Sequence, residues 1–521
     1  MNLNNKIASI ALLFLIVTSC KDEAEKNITN SGTVGTSVAY NEPFRPQFHF
    51  SPPEKWMNDP NGLVYNDGVY HLFYQYYPED IVWGPMHWGH ATSPDLIHWE
   101  NKPIALYPDE LGLIFSGSAV VDKNNTSGFG TAENPPLVAI YTYHLVEGEK
   151  EGRLDYQTQG LAYSLDNGET WTKYEGNPVI GNDGIKDFRD PKVFWHEESS
   201  RWILVLVAGD RAKFYKSTNL KDWNLMSEFG SDMGAHGGVW ECPDLFKLKV
   251  GDTGKEKWVL IISINPGAPN GGSGTQYFVG DFNGETFFSD QAETKWLDYG
   301  MDNYAGVTYN NVPSDDRIFI GWMSNWNYAR DTPTEVWRSA MTLPRNISLH
   351  LDDEGYYIKN YPLKNFDSLA STVLQERDID LSEPFILDKD NFNNTDTSFT
   401  IDSAGDYSVT FSNESGEQVC FQFLGKTGEL LFDRTRSGMV NFEESFGKAV
   451  QTQLFHSRNE KVEIRIIMDA SSIEIFIDGG KHVFTNQLFP NQKYTKLEIT
   501  GQPEGRIEKL SIKDVKSIWR P

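Results

Sequence analysis

The chain has 521 residues, more than one ordinary hydrophobic core accommodates, so two domains plus terminal segments are expected. Its 46 basic and 73 acidic residues give a net charge of −27, which excludes a nucleic acid partner, since phosphate contacts need clustered Lys and Arg. Fifteen Trp, 23 Tyr and 31 Phe, with Gly and Pro recurring between short apolar runs, predict an all-β protein rich in stacking surfaces.

At the N-terminus, Lys6 precedes an apolar run from Ile7 to Val17, too short to span a membrane, followed by Thr18-Ser19-Cys20. Val17-Thr18-Ser19-Cys20 resembles a bacterial lipobox. That predicts a signal peptide over 1–19, a lipid on Cys20, and an exported lipoprotein at the outer membrane or cell surface; the alternative is a plain cleaved secretory signal. Residues 20–43 carry few large apolar side chains and predict a flexible tether spanning roughly 25–30 Å.

From 44 to 345 the chain reads as short strands joined by turns. Asn66-Asp67-Gly68 between Leu63–Tyr65 and Val69–Tyr76 is a hairpin signal, and strand-like runs recur at 137–144, 192–195, 202–208, 258–264, 276–282 and 317–322. One phrase repeats: Ser93-Pro94-Asp95 to Trp99, Ser164-Leu165-Asp166 to Trp171, and Ser217-Thr218-Asn219 to Trp223, spaced 71 and 53 residues apart. Each is a strand end, a polar turn and a Trp opening the next strand. A unit of that length fits one four-stranded propeller blade, so the region predicts a five-bladed β-propeller. Residues 346–367 look like a linker, and alternation in 368–521, as in Ile473-Glu474-Ile475-Phe476-Ile477, predicts a C-terminal antiparallel β-sandwich that packs against the propeller, carbohydrate binding being the alternative role.

Besides Cys20 there are two cysteines, Cys242 and Cys420, in different expected domains and predicted to be free, buried thiols. His87 and His90 read as packed imidazoles, and Gly271-Gly272-Ser273-Gly274 as a turn, because no helix pattern follows to make it a phosphate loop. Neither a metal nor an organic cofactor is implied.

Three acids share one setting. Asp59 in Trp-Met-Asn-Asp-Pro-Asn-Gly, Asp190 in Phe-Arg-Asp-Pro and Glu241 in Trp-Glu-Cys-Pro-Asp each precede a proline and then an apolar strand, where the chain enters a sheet. Singly, each is explained by a turn or an ion pair. Together, at equivalent places in successive blades, they would converge on the propeller axis, with Trp56, Trp83, Trp240 and Trp322 available to stack on sugar faces. Paired carboxyls of separated proton affinity are what glycosidic cleavage requires.

These motifs, with Phe-Tyr-Gln-Tyr (73–76), Trp-Gly-Pro-Met-His-Trp-Gly-His (83–90), Phe-Ser-Gly-Ser-Ala (115–119) and Gly-Trp-Met-Ser-Asn-Trp (321–326), resemble glycoside hydrolase family 32, the invertases, levanases and inulinases. The resemblance implies Asp59 as nucleophile, Glu241 as general acid/base, Asp190 as transition-state stabiliser, and Asn58, Gln75, Trp83, Ser116, Arg189 and Trp322 as fructosyl-binding residues. It implies retaining hydrolysis of a fructan or fructo-oligosaccharide, the reacting carboxyls about 5–5.5 Å apart, and the 83–90 block favours exo-acting release of fructose. Endo-levanase, fructosyltransferase, an inverting five-bladed arabinan or xylan hydrolase, and a surface glycan-binding lipoprotein without turnover are the alternatives.

Overall fold

The computed structural model describes residues 40–455, 459–502 and 505–519. The expected signal peptide, Cys20 and the tether as far as residue 39 lie outside the described residues. The tether does not extend to 43: the Tyr40 ring is buried, stacked on Trp519 at 3.9 Å between centroids, and its hydroxyl accepts from Asn101 Nδ2 at 2.8 Å.

Residues 55–362 form five sheets, each built on four antiparallel strands. The first blade runs Lys55–Asn66, Val69–Tyr77, His87–Ser93 and Glu100–Leu106, and its first turn follows the sequence signal: Asn66 pairs with Val69, and Asp67 and Gly68 take φ of 46° and 85°. A two-residue turn with both φ positive matches the twist of the strands it joins, which is why Asp-Gly is placed there. The innermost strands of the other blades are Leu113–Val121, Phe188–His196, Val239–Lys249 and Tyr304–Thr308. The ring closes where the Tyr65 N–H donates to the Asn310 carbonyl and the Asn310 N–H to that of Leu63.

The repeated phrase is the turn between the third and fourth strands of blades one to three. Ser93, Ser164 and Ser217 end the third strands, and each Oγ accepts the N–H two residues on, at 3.2, 3.4 and 3.1 Å. Leu96, Asn167 and Leu220 then turn through φ of 54–64°, a strained conformation for leucine that burial of both Leu side chains supports.

The expected linker over 346–367 is not one. Arg345–Asp352 and Gly355–Pro362 form a hairpin that completes the fifth blade beside Ile318–Met323, and Asp352-Asp353-Glu354-Gly355 is its turn. The Tyr/Asn/Pro-rich composition hid an outer hairpin whose side chains alternate between buried and half-exposed, with Ile347, Leu349 and Ile358 turned inward.

From Ala370 onward two six-stranded sheets pack as a sandwich. Alternate residues such as Val409, Phe411, Phe421, Phe432, Ile464 and Ile475 fill its core, each contributing roughly 1.5–3 kcal/mol of burial. Strand Ser472–Ile477 is buried on both faces: Ile473, Ile475 and Ile477 enter that core, whereas Phe476 packs with Phe48, Leu343 and Phe366 against the propeller. The fully buried Glu474 on this side pairs with Arg345 at 3.0 Å, and Arg345 reaches Asp298 at 3.2 Å. His49 lies between Asp469 (2.8 Å) and Glu474 (3.5 Å). Hydrogen bonding to these two carboxylates outweighs the burial that opposes its charge and lifts the imidazole to about 9. Cys242 is free and buried, as expected; Cys420 is free but half-exposed, because it sits on the outward face of strand Gln418–Leu424.

Candidate active site

All five innermost strands break their ladder in the same way. Two residues oppose one on the neighbouring strand: Asn58-Asp59 opposite Gln75, Phe115-Ser116 opposite Thr142, Asp190-Pro191 opposite Leu206, Cys242-Pro243 opposite Ile262, and Ala305-Gly306 opposite Gly321. Such bulges re-aim side chains and leave a residue unpaired, so Pro191 and Pro243 forfeit no ladder hydrogen bond. Asp190, Cys242 and Ala305 hold φ of 64°, 46° and 54°, conformations that concentrate where a site is preorganised. The Asp190-Pro191 and Glu-Cys-Pro signals in the sequence are therefore bulge chemistry, whereas Pro60 follows its bulge and stands opposite Tyr74, and the bulges turn the three acids to one end of the axis.

There the side chains surround a cavity of about 410 Å³, within the size range of small-ligand pockets. Asp59 receives Ser116 Oγ at 2.7 Å on one carboxylate oxygen and Asn58 Nδ2 at 2.9 Å on the other; the Trp56 indole N–H donates to Asn58 Oδ1 at 2.6 Å and so fixes that amide. Asp190 accepts the Cys242 N–H at 3.0 Å, while the Cys242 Sγ stands 3.5 Å from Asp59 and 3.6 Å from Asp190. Glu241 receives Arg189 through Nε at 3.2 Å and a terminal nitrogen at 3.1 Å, and the Tyr304 hydroxyl on its other oxygen. Arg189 also donates to Asp187 at 2.8 Å.

Carboxyls crowded into one pocket raise one another's proton affinity. Burial, aided by the charges of Glu241 and Asp59 and opposed by Arg189, pushes Asp190 up to about 7. Burial likewise raises Glu241, with the Asp59 charge adding to it and Arg189 opposing. Burial carries the Cys242 thiol well above its usual range, so it packs and donates as a neutral thiol.

Of the residues expected to contact substrate, Asn58, Gln75, Trp83, Ser116 and Arg189 line the cavity with the three acids. Gln75 is held by Nε2 donating to Asn61 Oδ1 at 2.8 Å and the Ile114 carbonyl at 3.0 Å. Trp322 does not line it: its indole is fully buried beneath Trp56, Trp326 and Tyr304 and donates to the Met57 carbonyl at 3.2 Å. The wall is formed instead by Trp326, just past the strand end, with Arg330 at 5.7 Å over its ring. Trp56 and Trp240 are also core residues, leaving half-buried Trp83 as the member of the expected stacking set that faces the cavity. Tyr304 was missed by sequence reasoning although it precedes the fifth bulge as Glu241 precedes the fourth; the repeat itself was the available signal. His90 packs flat on Phe73 at 4.2 Å and bonds His71 at 3.1 Å, and His87 bonds the Pro85 carbonyl.

Sequence models described as Glycosyl hydrolases family 32 N-terminal domain and Glycosyl hydrolases family 32 C terminal match residues 49–362 and 366–515. The chain belongs to glycoside hydrolase family 32. It is a glycoside hydrolase 46% identical to a levanase of Bacillus subtilis, across 94% of this chain and 73% of the relative. It is 40% identical to an extracellular exo-inulinase of Aspergillus niger, across 95% and 99%. Among solved structures, the exo-inulinase of Aspergillus awamori superposes with a TM-score of 0.85 at 37% identity, covering 92% of this chain and all of that one. Family membership accounts for the propeller-plus-sandwich architecture.

Proposed function

We propose that this protein is a retaining exo-β-fructosidase that removes terminal β-fructofuranosyl units from levan- or inulin-type fructans, and from sucrose, releasing fructose. The observation that carries the reading is the single pocket holding Asp59, Asp190, Glu241 and Arg189 at the bulged ends of the blades. Similarity to a levanase, to exo-inulinases and, at 36% identity, to an invertase of Schizosaccharomyces pombe supports the substrate class.

In this mechanism Asp59, steadied by Ser116 and Asn58, attacks the anomeric carbon of the fructosyl unit. Glu241 gives its proton to the departing oxygen, then takes one from the water that releases the sugar from Asp59. The raised proton affinity of Glu241 suits the acid role. Asp190 and Arg189 hold sugar hydroxyls, Gln75 adds an amide contact, and Trp83 with Trp326 forms apolar walls. Similarity to extracellular enzymes supports export, and Val17-Thr18-Ser19-Cys20 supports lipid anchoring at Cys20.

Product analysis on levan, inulin and sucrose tests the reading. Fructose as the early product from levan and inulin, and fructose with an equal amount of glucose from sucrose, is expected; a ladder of oligosaccharides from the fructans would replace it with endo cleavage. Asp59→Ala, Asp190→Ala and Glu241→Ala should each stay folded and lose several orders of magnitude in turnover, and near-normal hydrolysis by Glu241→Ala would overturn the roles.

A further inference from the structure

Arg189 and Asp190 depend on where the preceding residue, Phe188, is held, and two glutamines on the third strand of blade two hold it. Gln159 Nε2 donates to the Phe188 carbonyl at 3.0 Å, and Gln157 Oε1 accepts the Phe188 N–H at 2.8 Å. The same Gln157 oxygen faces an Arg189 terminal nitrogen at 3.4 Å. Because a backbone N–H can only donate, these contacts fix which end of the Gln157 amide is oxygen. Its nitrogen therefore points at His144, whose Nδ1 lies 3.2 Å away and must accept. The remaining ring nitrogen then carries the proton and donates to Glu149 Oε2 at 3.1 Å. The ring is buried and stacked flat on Phe115 at 4.3 Å, next to Ser116, which holds Asp59.

We propose that His144 is a positioning residue: as a neutral Nε2–H imidazole it fixes the Gln157 amide, and through it the Arg189 that holds Glu241, so that protonating His144 uncouples the site at low pH. This rests on the fructosidase reading above. With both ring nitrogens protonated, donor faces donor at Gln157. The amide must turn, presenting its nitrogen to the Phe188 N–H and to Arg189, and both lose their acceptor. The charged groups facing the ring are Glu149 on the short helix Val146–Lys150 and Asp187 and Arg189 at the start of blade three; Tyr156 packs edge-on against it. Burial, joined by Arg189, favours the neutral ring, and Glu149 and Asp187 oppose them.

The test compares wild type, His144→Asn and His144→Phe on sucrose across pH. Asparagine can present an acceptor to Gln157 but does not titrate; phenylalanine keeps the stack and removes the acceptor. We expect His144→Phe to lose roughly tenfold or more in kcat near neutral pH and His144→Asn to recover most of it. The acid limb of kcat/KM should become shallower in His144→Asn, from two ionisations to one. An acid limb in His144→Asn identical to that of wild type overturns the inference, even if His144→Phe fails to fold. A wild type inert towards sucrose, levan and inulin alike would instead overturn the functional reading itself.

Discussion

Raising the pH should loosen the seat of the sandwich on the propeller through one residue, His49. Its ring bridges Asp469 and Glu474 of the sandwich, and Asp469 also receives the N–H groups of Gln47, Phe48 and His49 at 2.8–3.3 Å. The imidazole titrates at about 9 when folded against an ordinary value of 6.5. A raised folded value stabilises the protein fully below the unfolded one, and the contribution is lost as pH climbs through the folded value. The difference corresponds to about 3 kcal/mol, present below pH 6.5 and gone above about 9. Urea denaturation of wild type and His49→Gln near pH 6 and near pH 9.5 isolates it, since other titrating groups cancel in the comparison. The wild-type advantage should shrink by about 3 kcal/mol at the higher pH. An advantage that stays constant would refute a charged His49 in the folded state.

Three further outcomes are expected. Glu241→Gln should lower kcat on sucrose by roughly 10²–10⁴-fold, lose the alkaline fall in activity that deprotonation of this raised carboxyl causes, and recover turnover on a fructosyl donor whose leaving group needs no proton. Trp322→Ala should cost about 3–5 kcal/mol of stability in thermal or urea unfolding, because it empties a fully buried site, whereas Trp326→Ala should act mainly on KM. Detergent partitioning of wild type against Cys20→Ala should move the protein from the detergent phase to the aqueous phase, and equal partitioning would remove the anchor.

Local signals in the sequence were legible where one turn or one face decides the structure. Asn66-Asp67-Gly68 dictates its hairpin, and the Ser-to-Trp phrase marks the same turn in three blades. The three acids were legible as a set because each precedes a proline at a strand start, and at Pro191 and Pro243 the bulge tolerates it. What depends on register across distant strands was not. Trp322 and Trp326 share one motif, but the first lies within a buried strand and the second beyond its end. The 345–362 hairpin carries polar and aromatic residues because it is the outer edge of a blade, and composition alone made it a linker. Gln157 became visible only once blade two was set beside blade three.

The five bulges separate the chemistry of the pocket from the architecture beneath it. Each blade surrenders its ladder at one level and resumes it a residue later, so whatever occupies the two-residue slot leaves strand alignment below untouched. The slots behave as sockets around a common shaft. All five carry or adjoin groups that hold Asp59, Asp190 or Glu241, Tyr304 standing just before the fifth, Ala305-Gly306, which itself offers almost no side chain. That fifth socket is closed to longer side chains, since Ala305 is fully buried at a φ of 54° and a Cβ on Gly306 would collide with the Phe319 ring, so reach towards a bound sugar comes from the other four.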